Sequence, residues 1–203
     1  MNRSLIVVVP LLLLGFAVAG ELEIGSGIPM GNVKMTDVSG REVSLNDAMG
    51  EKGLLVIFSC NTCPWVNAWE DRYIVISERY GKKGVGIIAL NPNAARRGDG
   101  DGLADMQERA AKAGYAFHYA LDEGAQLASA FGATRTPHIY LFSKEGKLVY
   151  RGAIDDNARK PRKVKKPYLM NAIDAMLAGE KVEVNSSKAL GCGIKFPEKP
   201  IKL

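Results

Sequence analysis

A chain of 203 residues, 47% of them hydrophobic and 24% charged, has the length of one packed domain and is too apolar to stay disordered. The net charge of +5 collects in one segment rather than alternating with aromatic residues, which argues against nucleic acid as a partner. Three cysteines leave one thiol over when two are paired.

The chain opens with Arg3, an apolar stretch over 5–18 and the small-residue pattern Ala17-Val18-Ala19 before Gly20-Glu21. This is the pattern of a secretory signal cleaved after Ala19, and its apolar stretch, which contains Pro10, is shorter than the roughly 20 residues of a membrane span. The expected plan is a signal peptide over 1–19, one domain over 20–178 and an irregular tail over 179–203 that carries Cys192. Residues 33–38 and 41–45 alternate apolar and polar around Ser39-Gly40, as a β-hairpin does. The unbroken apolar run 54–58 reads as a strand buried on both faces. Cys60-Asn61-Thr62-Cys63-Pro64 follows directly. A helix is expected over 63–80, with Val66, Trp69, Tyr73 and Ile76 at helical spacing and Gly81 at its end. A second buried strand over 85–90 makes strand, helix, strand, which in one sheet requires parallel pairing through a right-handed crossover.

Residues 91–102 form a loop rich in Asn, Gly and Asp. Its Asp99-Gly100-Asp101-Gly102 is read as a turn and not a calcium loop, because Leu103 and Ala104 stand where such a loop needs an oxygen ligand and Gly. A helix over 103–113, a short strand over 117–121 and a helix over 126–131 come next. Thr136-Pro137 precedes a hairpin of strands 139–143 and 148–151 joined by Lys144-Glu145-Gly146-Lys147. An amphipathic helix over 168–178 is the last element, and the tail shows no periodicity.

Two thiols three positions apart, where a buried strand turns into a helix, are arranged to form and break a disulfide with each other. Cys60 is expected at the helix start, where unpaired N–H groups and the helix dipole favour a thiolate. Cys60 is then the attacking sulfur, and Cys63, on the same helical face, resolves the mixed disulfide.

The order of elements resembles a thioredoxin-type domain. Several segments carry a closer likeness: Phe58-Ser59-Cys60-Asn61-Thr62-Cys63-Pro64, Glu70-Asp71-Arg72, Thr136-Pro137, the run over 148–157 and the tail Gly191-Cys192-Gly193-Ile194-Lys195. In them the chain resembles the redoxin branch of the thioredoxin superfamily, the alkyl-hydroperoxide-reductase/thiol-specific-antioxidant type, and within it exported peroxiredoxin-like proteins. The resemblance implies an α/β thioredoxin-like fold: a central mixed β-sheet flanked by helices, an N-terminal β-hairpin and a redoxin-type αβ insertion. It implies that Pro137 is cis and faces the cysteines, with Thr136 offering backbone hydrogen bonds to an extended substrate chain. It also implies an exported, periplasmic or extracytoplasmic thiol-disulfide oxidoreductase without a cofactor, served by protein disulfide substrates and an upstream thiol reductant.

The departures matter. Ser59 stands where typical thioredoxins have Trp. The peroxiredoxin pattern Pro-x-x-x-Thr/Ser-x-x-Cys is met from neither cysteine: counting from Cys60 its places hold Ile57 and Gly53, and counting from Cys63 they hold Cys60 and Val56. A thiol peroxidase with antioxidant activity is therefore the alternative, not the leading expectation. Strong oxidants of this fold place His between the cysteines, so the neutral Asn61 and Thr62 imply a moderately reducing couple, below about −120 mV.

Five further features stand beside the pair. His138 is a candidate for tuning the thiols, weighed against an ordinary strand histidine. Glu70 and Asp71 are candidates for a proton relay, weighed against solvated carboxylates. Cys192 is a candidate third thiol, resolving an oxidised Cys60, or else a small buried residue. Cys60, Cys63 and Cys192 with His118 or His138 would make a zinc site, but a single close-spaced pair is poor support, and no metal is assigned. Arg159, Lys160, Arg162, Lys163, Lys165 and Lys166, with Pro161 and Pro167, form either a solvated loop or a docking patch for an acidic partner or an anionic membrane surface.

Overall fold

The computed structural model describes residues 20–197, and the expected signal segment lies outside them. The chain begins with a small antiparallel hairpin of Met35–Thr36 (β1) and Glu42–Val43 (β2). Gly53–Phe58 (β3) leads into the helix Pro64–Gly81 (α1), and Val85–Asn91 (β4) follows. Next come the helix Leu103–Ala113 (α2), the strand His118–Leu121 (β5) and the helix Gln126–Phe131 (α3). Arg135–Thr136 (β6) precedes the hairpin of His138–Ser143 (β7) and Leu148–Gly152 (β8). Tyr168–Ala178 (α4) and the two-residue strand Cys192–Gly193 (β9) complete the order.

Five strands form a mixed sheet in the order β5–β4–β3–β7–β8. The Lys52 N–H bonds the Gly84 carbonyl at one end of the β3–β4 pair, and the Ser59 N–H bonds the Leu90 carbonyl at the other. The two strands therefore run the same way, and β7 lies antiparallel on the other side of β3, with Phe58 opposite His138. The fold is α/β and thioredoxin-like, with the mixed sheet flanked by helices.

Strand β3 is central, and all six of its residues are buried, which explains its unbroken apolar sequence. Side chains alternate across the sheet. Leu55, Ile57, Ile139 and Leu141 face a core completed by α1, α2 and α4. Leu54, Val56, Phe58, Tyr140 and Phe142 face a second core completed by α3 and the β1–β2 hairpin. Each fully buried side chain of this size contributes roughly 1.5–3 kcal/mol. Cys60 and Cys63 belong to the first core, so the thiols sit against the face that α1 covers.

A buried polar knot fixes α1 to the segment after β8. The indole of Trp69 donates to Asp155 Oδ1 at 2.9 Å, and Arg72 Nε lies 3.2 Å from Asp155 Oδ2. Arg72 also donates to the carbonyls of Asn157 and Ala158. The Glu70-Asp71-Arg72 segment and the run over 148–157 are thereby joined in space. The tail beyond α4 is ordered by backbone bonds to the exposed edge of the sheet: Arg151 donates to Asn185, and Ser187 donates to Arg151.

Asp155→Ala takes the buried carboxylate away from Arg72 and the acceptor away from the Trp69 indole, and is expected to cost about 3–5 kcal/mol in chemical denaturation. Asp71 is the exposed partner of the same arginine, and Asp71→Ala is expected to change stability by less than about 1 kcal/mol. A loss in Asp155→Ala as small as that in Asp71→Ala, below about 1 kcal/mol, would show that the knot carries little stability.

Candidate functional site

Cys60 and Cys63 occupy the turn between β3 and α1, both with about 2% exposure or less. Proline is favoured at the first helical position because it has no N–H to satisfy and its fixed φ suits the helix. Pro64 takes that position, so Cys63 is the N-cap. The helix runs within one residue of the expected 63–80, and the N–H groups of its first turn meet Cys63, not Cys60 as expected.

Thr136 ties the thiols together. Its peptide bond to Pro137 is cis. Its hydroxyl lies 3.2 Å from Cys60 Sγ, and its carbonyl accepts a hydrogen bond from the Cys63 thiol at 3.0 Å. Strand β9 pairs antiparallel with β6, placing Cys192 directly opposite Thr136. The strand edge that the resemblance assigns to an extended substrate is thus paired with the chain's own tail. Cys192 is partly exposed, unlike the other two.

The turn is held from below by a residue that carried no site expectation. Asp101 is fully buried. It accepts from the Asn61 N–H at 2.6 Å, the Thr62 hydroxyl at 2.8 Å and the side-chain amides of Asn91 and Asn93 at 3.0 and 2.9 Å. What reads in sequence as a turn is therefore the clamp on the CxxC backbone. Arg109 of α2 adds a second clamp, donating to the Asn61 carbonyl at 2.8 Å and to Glu70 at 2.9 Å. Neither residue has a local signal, because each acts across some forty residues of sequence.

The sulfurs share their protons. The ionised form of Cys63 accepts hydrogen bonds from the Cys60 thiol, the Cys192 thiol and the Val66 N–H, and these pull Cys63 down to about 4 against the cost of burial. The same contact with Cys63, added to burial, pushes the Cys60 thiol up. Burial and then the Cys63 contact raise Cys192 to about 11. The first proton to leave is therefore lost from the pair, below the ordinary thiol range, and the contact between the two sulfurs favours its loss from Cys63. Thr136 makes the other tautomer reachable: when the proton passes from Cys60 to Cys63, the Thr136 carbonyl accepts from the Cys63 thiol and the Thr136 hydroxyl can donate to the Cys60 thiolate.

The remaining candidates lie elsewhere. His138 follows Pro137 but points to the opposite face of the sheet, as alternation along β7 requires. Its ring bonds Glu21 at 2.7 Å and stacks on Tyr140, so it is a satisfied strand histidine and not a tuner of the thiols. Glu70 accepts from Arg109 and from the Tyr115 hydroxyl at 2.7 Å, and Asp71 pairs with Arg72; both are structural contacts. The zinc alternative needs a histidine beside the sulfurs, whereas His118 lies by Asp37 and His138 by Glu21. Among the described residues no group of three or more His, Cys, Asp or Glu could hold a metal ion. The basic residues Arg159, Lys160, Arg162, Lys163, Lys165 and Lys166 are exposed. Arg159 lies over the Trp65 ring at 5.8 Å, which brings this segment to the rim of the thiol site.

Comparison with known proteins agrees with this geometry. Residues 23–166 match the family model for Redoxin. The thiol-disulfide oxidoreductase ResA of Bacillus thuringiensis is 30% identical over 146 residues, covering 66% of this chain and 72% of the relative, and that of Bacillus anthracis matches to the same extent. Among solved structures, a conserved protein from Geobacillus kaustophilus superposes with a TM-score of 0.80 at 31% identity, covering 87% of this chain and 94% of that one. A protein from Sinorhizobium meliloti superposes with a TM-score of 0.79 at 28% identity, covering 89% and 98%.

Thiolate ultraviolet absorbance of the reduced protein is expected to titrate well below the ordinary thiol value of about 8.5. Cys60→Ala removes the strongest donor to Cys63 and should move that midpoint upward. Because a stabilised thiolate favours the reduced form, the couple is expected to lie between about −270 mV, the value of thioredoxin, and about −120 mV. An unshifted midpoint in the unaltered protein would contradict the shared-proton arrangement.

Proposed function

The chain belongs to the redoxin family and is a thiol-disulfide oxidoreductase, and from that premise we propose that it exchanges disulfides with protein partners outside the cytoplasm, Cys60 attacking and Cys63 resolving. The observation that carries this reading is the double contact of Thr136, whose hydroxyl serves Cys60 and whose carbonyl serves protonated Cys63.

The reaction starts from the monoanion. Cys63 thiolate takes the proton of Cys60 along their hydrogen bond, acting as its general base. Cys60 attacks one sulfur of the partner's disulfide; a Cys60–partner bond forms, the partner's S–S bond breaks, and the other partner sulfur leaves as a thiolate. That thiolate takes the proton from Cys63. Cys63, charged again, attacks the Cys60 sulfur and expels the second partner sulfur. The partner ends reduced and the chain ends with a Cys60–Cys63 disulfide, which an upstream thiol reductant reopens.

Export is supported by the signal pattern over 1–19. The residue two places past its cleavage point, Glu21, is anchored on His138 and Arg151. An acidic partner surface is supported by the exposed basic segment whose Arg159 covers Trp65, two residues after Cys63. The peroxidase alternative draws on one observation, the hydroxyl of Thr136 beside Cys60.

The unaltered protein is expected to reduce insulin disulfides with a dithiol reductant. Cys63→Ser should stall with Cys60 in a mixed disulfide that survives denaturing, non-reducing electrophoresis. If no adduct accumulates while peroxide oxidises Cys60 rapidly in stopped flow, the peroxidase reading replaces this one.

A further inference from the structure

We propose that Cys192 is a third redox thiol of this site, an internal exchange partner that takes over the disulfide at Cys63 and returns Cys60 to its thiolate. The proposal rests on the dithiol reading above and adds a second disulfide, Cys63–Cys192, to its cycle.

Three independent features put Cys192 there. The first is register: β9 pairs with β6 so that Cys192 faces Thr136, the residue whose carbonyl already contacts Cys63. Cys192 also packs against the core cluster that holds Cys60 and Cys63. The second is the shape of the approach. A Cβ on Gly191 would lie 2.2 Å from the Thr136 carbonyl oxygen, so the tail comes this close only because that residue is glycine. The third is anchoring of the tail directly after Cys192. Ile194 donates to the Thr134 carbonyl at 3.1 Å, Lys195 donates to Asn93 Oδ1 at 2.9 Å, and Ala95 donates to the Lys195 carbonyl at 3.1 Å. Asn93 is also a ligand of the Asp101 clamp, so the tail and the CxxC turn are fastened to the same group.

The step needs no outside oxidant. After a turnover the disulfide joins Cys60 and Cys63. The Cys192 thiolate attacks the Cys63 sulfur, a Cys63–Cys192 bond forms, the Cys60–Cys63 bond breaks, and Cys60 leaves as a thiolate; the proton given up by Cys192 is available to Cys60, and no net oxidation occurs. Burial first, and then the contact with Cys63, push the Cys192 thiol up. The second of these is lost once Cys63 is in a disulfide, so Cys192 ionises more readily after the site has been oxidised. The exchange also carries the disulfide from two buried sulfurs to one that is partly exposed, where an external reductant can attack it.

Oxidation of the full chain with glutathione disulfide, followed by acid quenching and peptide mapping, tests the proposal. The unaltered protein is expected to yield both Cys60–Cys63 and Cys63–Cys192, and Cys60→Ser is expected to yield Cys63–Cys192 with little glutathione retained. Gly191→Ala, which lifts the tail off Thr136, is expected to lower the ratio of Cys63–Cys192 to Cys60–Cys63 by about tenfold through lost effective concentration. If Cys60→Ser keeps Cys63 free or as a stable glutathione adduct while the unaltered protein forms Cys60–Cys63, the third-thiol proposal is overturned and the dithiol reading stands. An unchanged ratio in Gly191→Ala also overturns it. If the unaltered protein forms neither internal disulfide, the dithiol reading falls as well.

Discussion

The three cysteines of this protein meet at one residue. Thr136 touches Cys60 through its hydroxyl, Cys63 through its carbonyl and Cys192 through strand register. A hydroxyl can donate and a carbonyl can only accept, so the two contacts are not equivalent. Together they favour the monoanion tautomer proposed to react, with Cys60 ionised and Cys63 protonated. In the proposed mechanism the proton moves between two adjacent sulfurs and no distant base is needed.

The rest of the fold keeps that geometry from drifting. The sheet supplies a rigid strand end at Phe58, with the next N–H locked to Leu90. Asp101 and Arg109 then fix the backbone of Asn61, one by accepting its N–H and the other by donating to its carbonyl. The knot of Trp69, Arg72 and Asp155 holds α1, whose first turn supplies the Val66 N–H that favours an ionised Cys63. Buried polar groups of this kind are costly unless every one is satisfied. Their concentration beneath the CxxC turn shows where the fold invests in precision.

Much of this is legible in the sequence, for identifiable reasons. The apolar run over 54–58, the helical spacing of Val66, Trp69, Tyr73 and Ile76, and the helices over 103–113, 126–131 and 168–178 are local patterns and reappear in the structure. The helix boundary is legible to within one residue, but the expectation that its N-terminus serves Cys60 fails, because proline prefers the first helical position and Pro64 makes Cys63 the N-cap. His138 adjoins Pro137 in sequence, yet strand alternation turns it to the far face, so nearness along the chain misled. Asp101 looked like an ordinary turn residue, since its partners Asn61 and Thr62 come from another part of the chain. The tail shows no periodicity because its pairing is only two residues long and is made possible by glycine, not by an apolar pattern.

The central claim is that Thr136 sorts the proton between Cys60 and Cys63, and Thr136→Val tests it most directly, since it removes the hydroxyl while nearly preserving volume. The measurement is the pH dependence of the rate at which the reduced protein reacts with a small symmetrical disulfide. Loss of one hydrogen bond to the Cys60 thiolate should slow that reaction by about tenfold near neutral pH and move its profile to higher pH. An unchanged rate and profile would contradict the account.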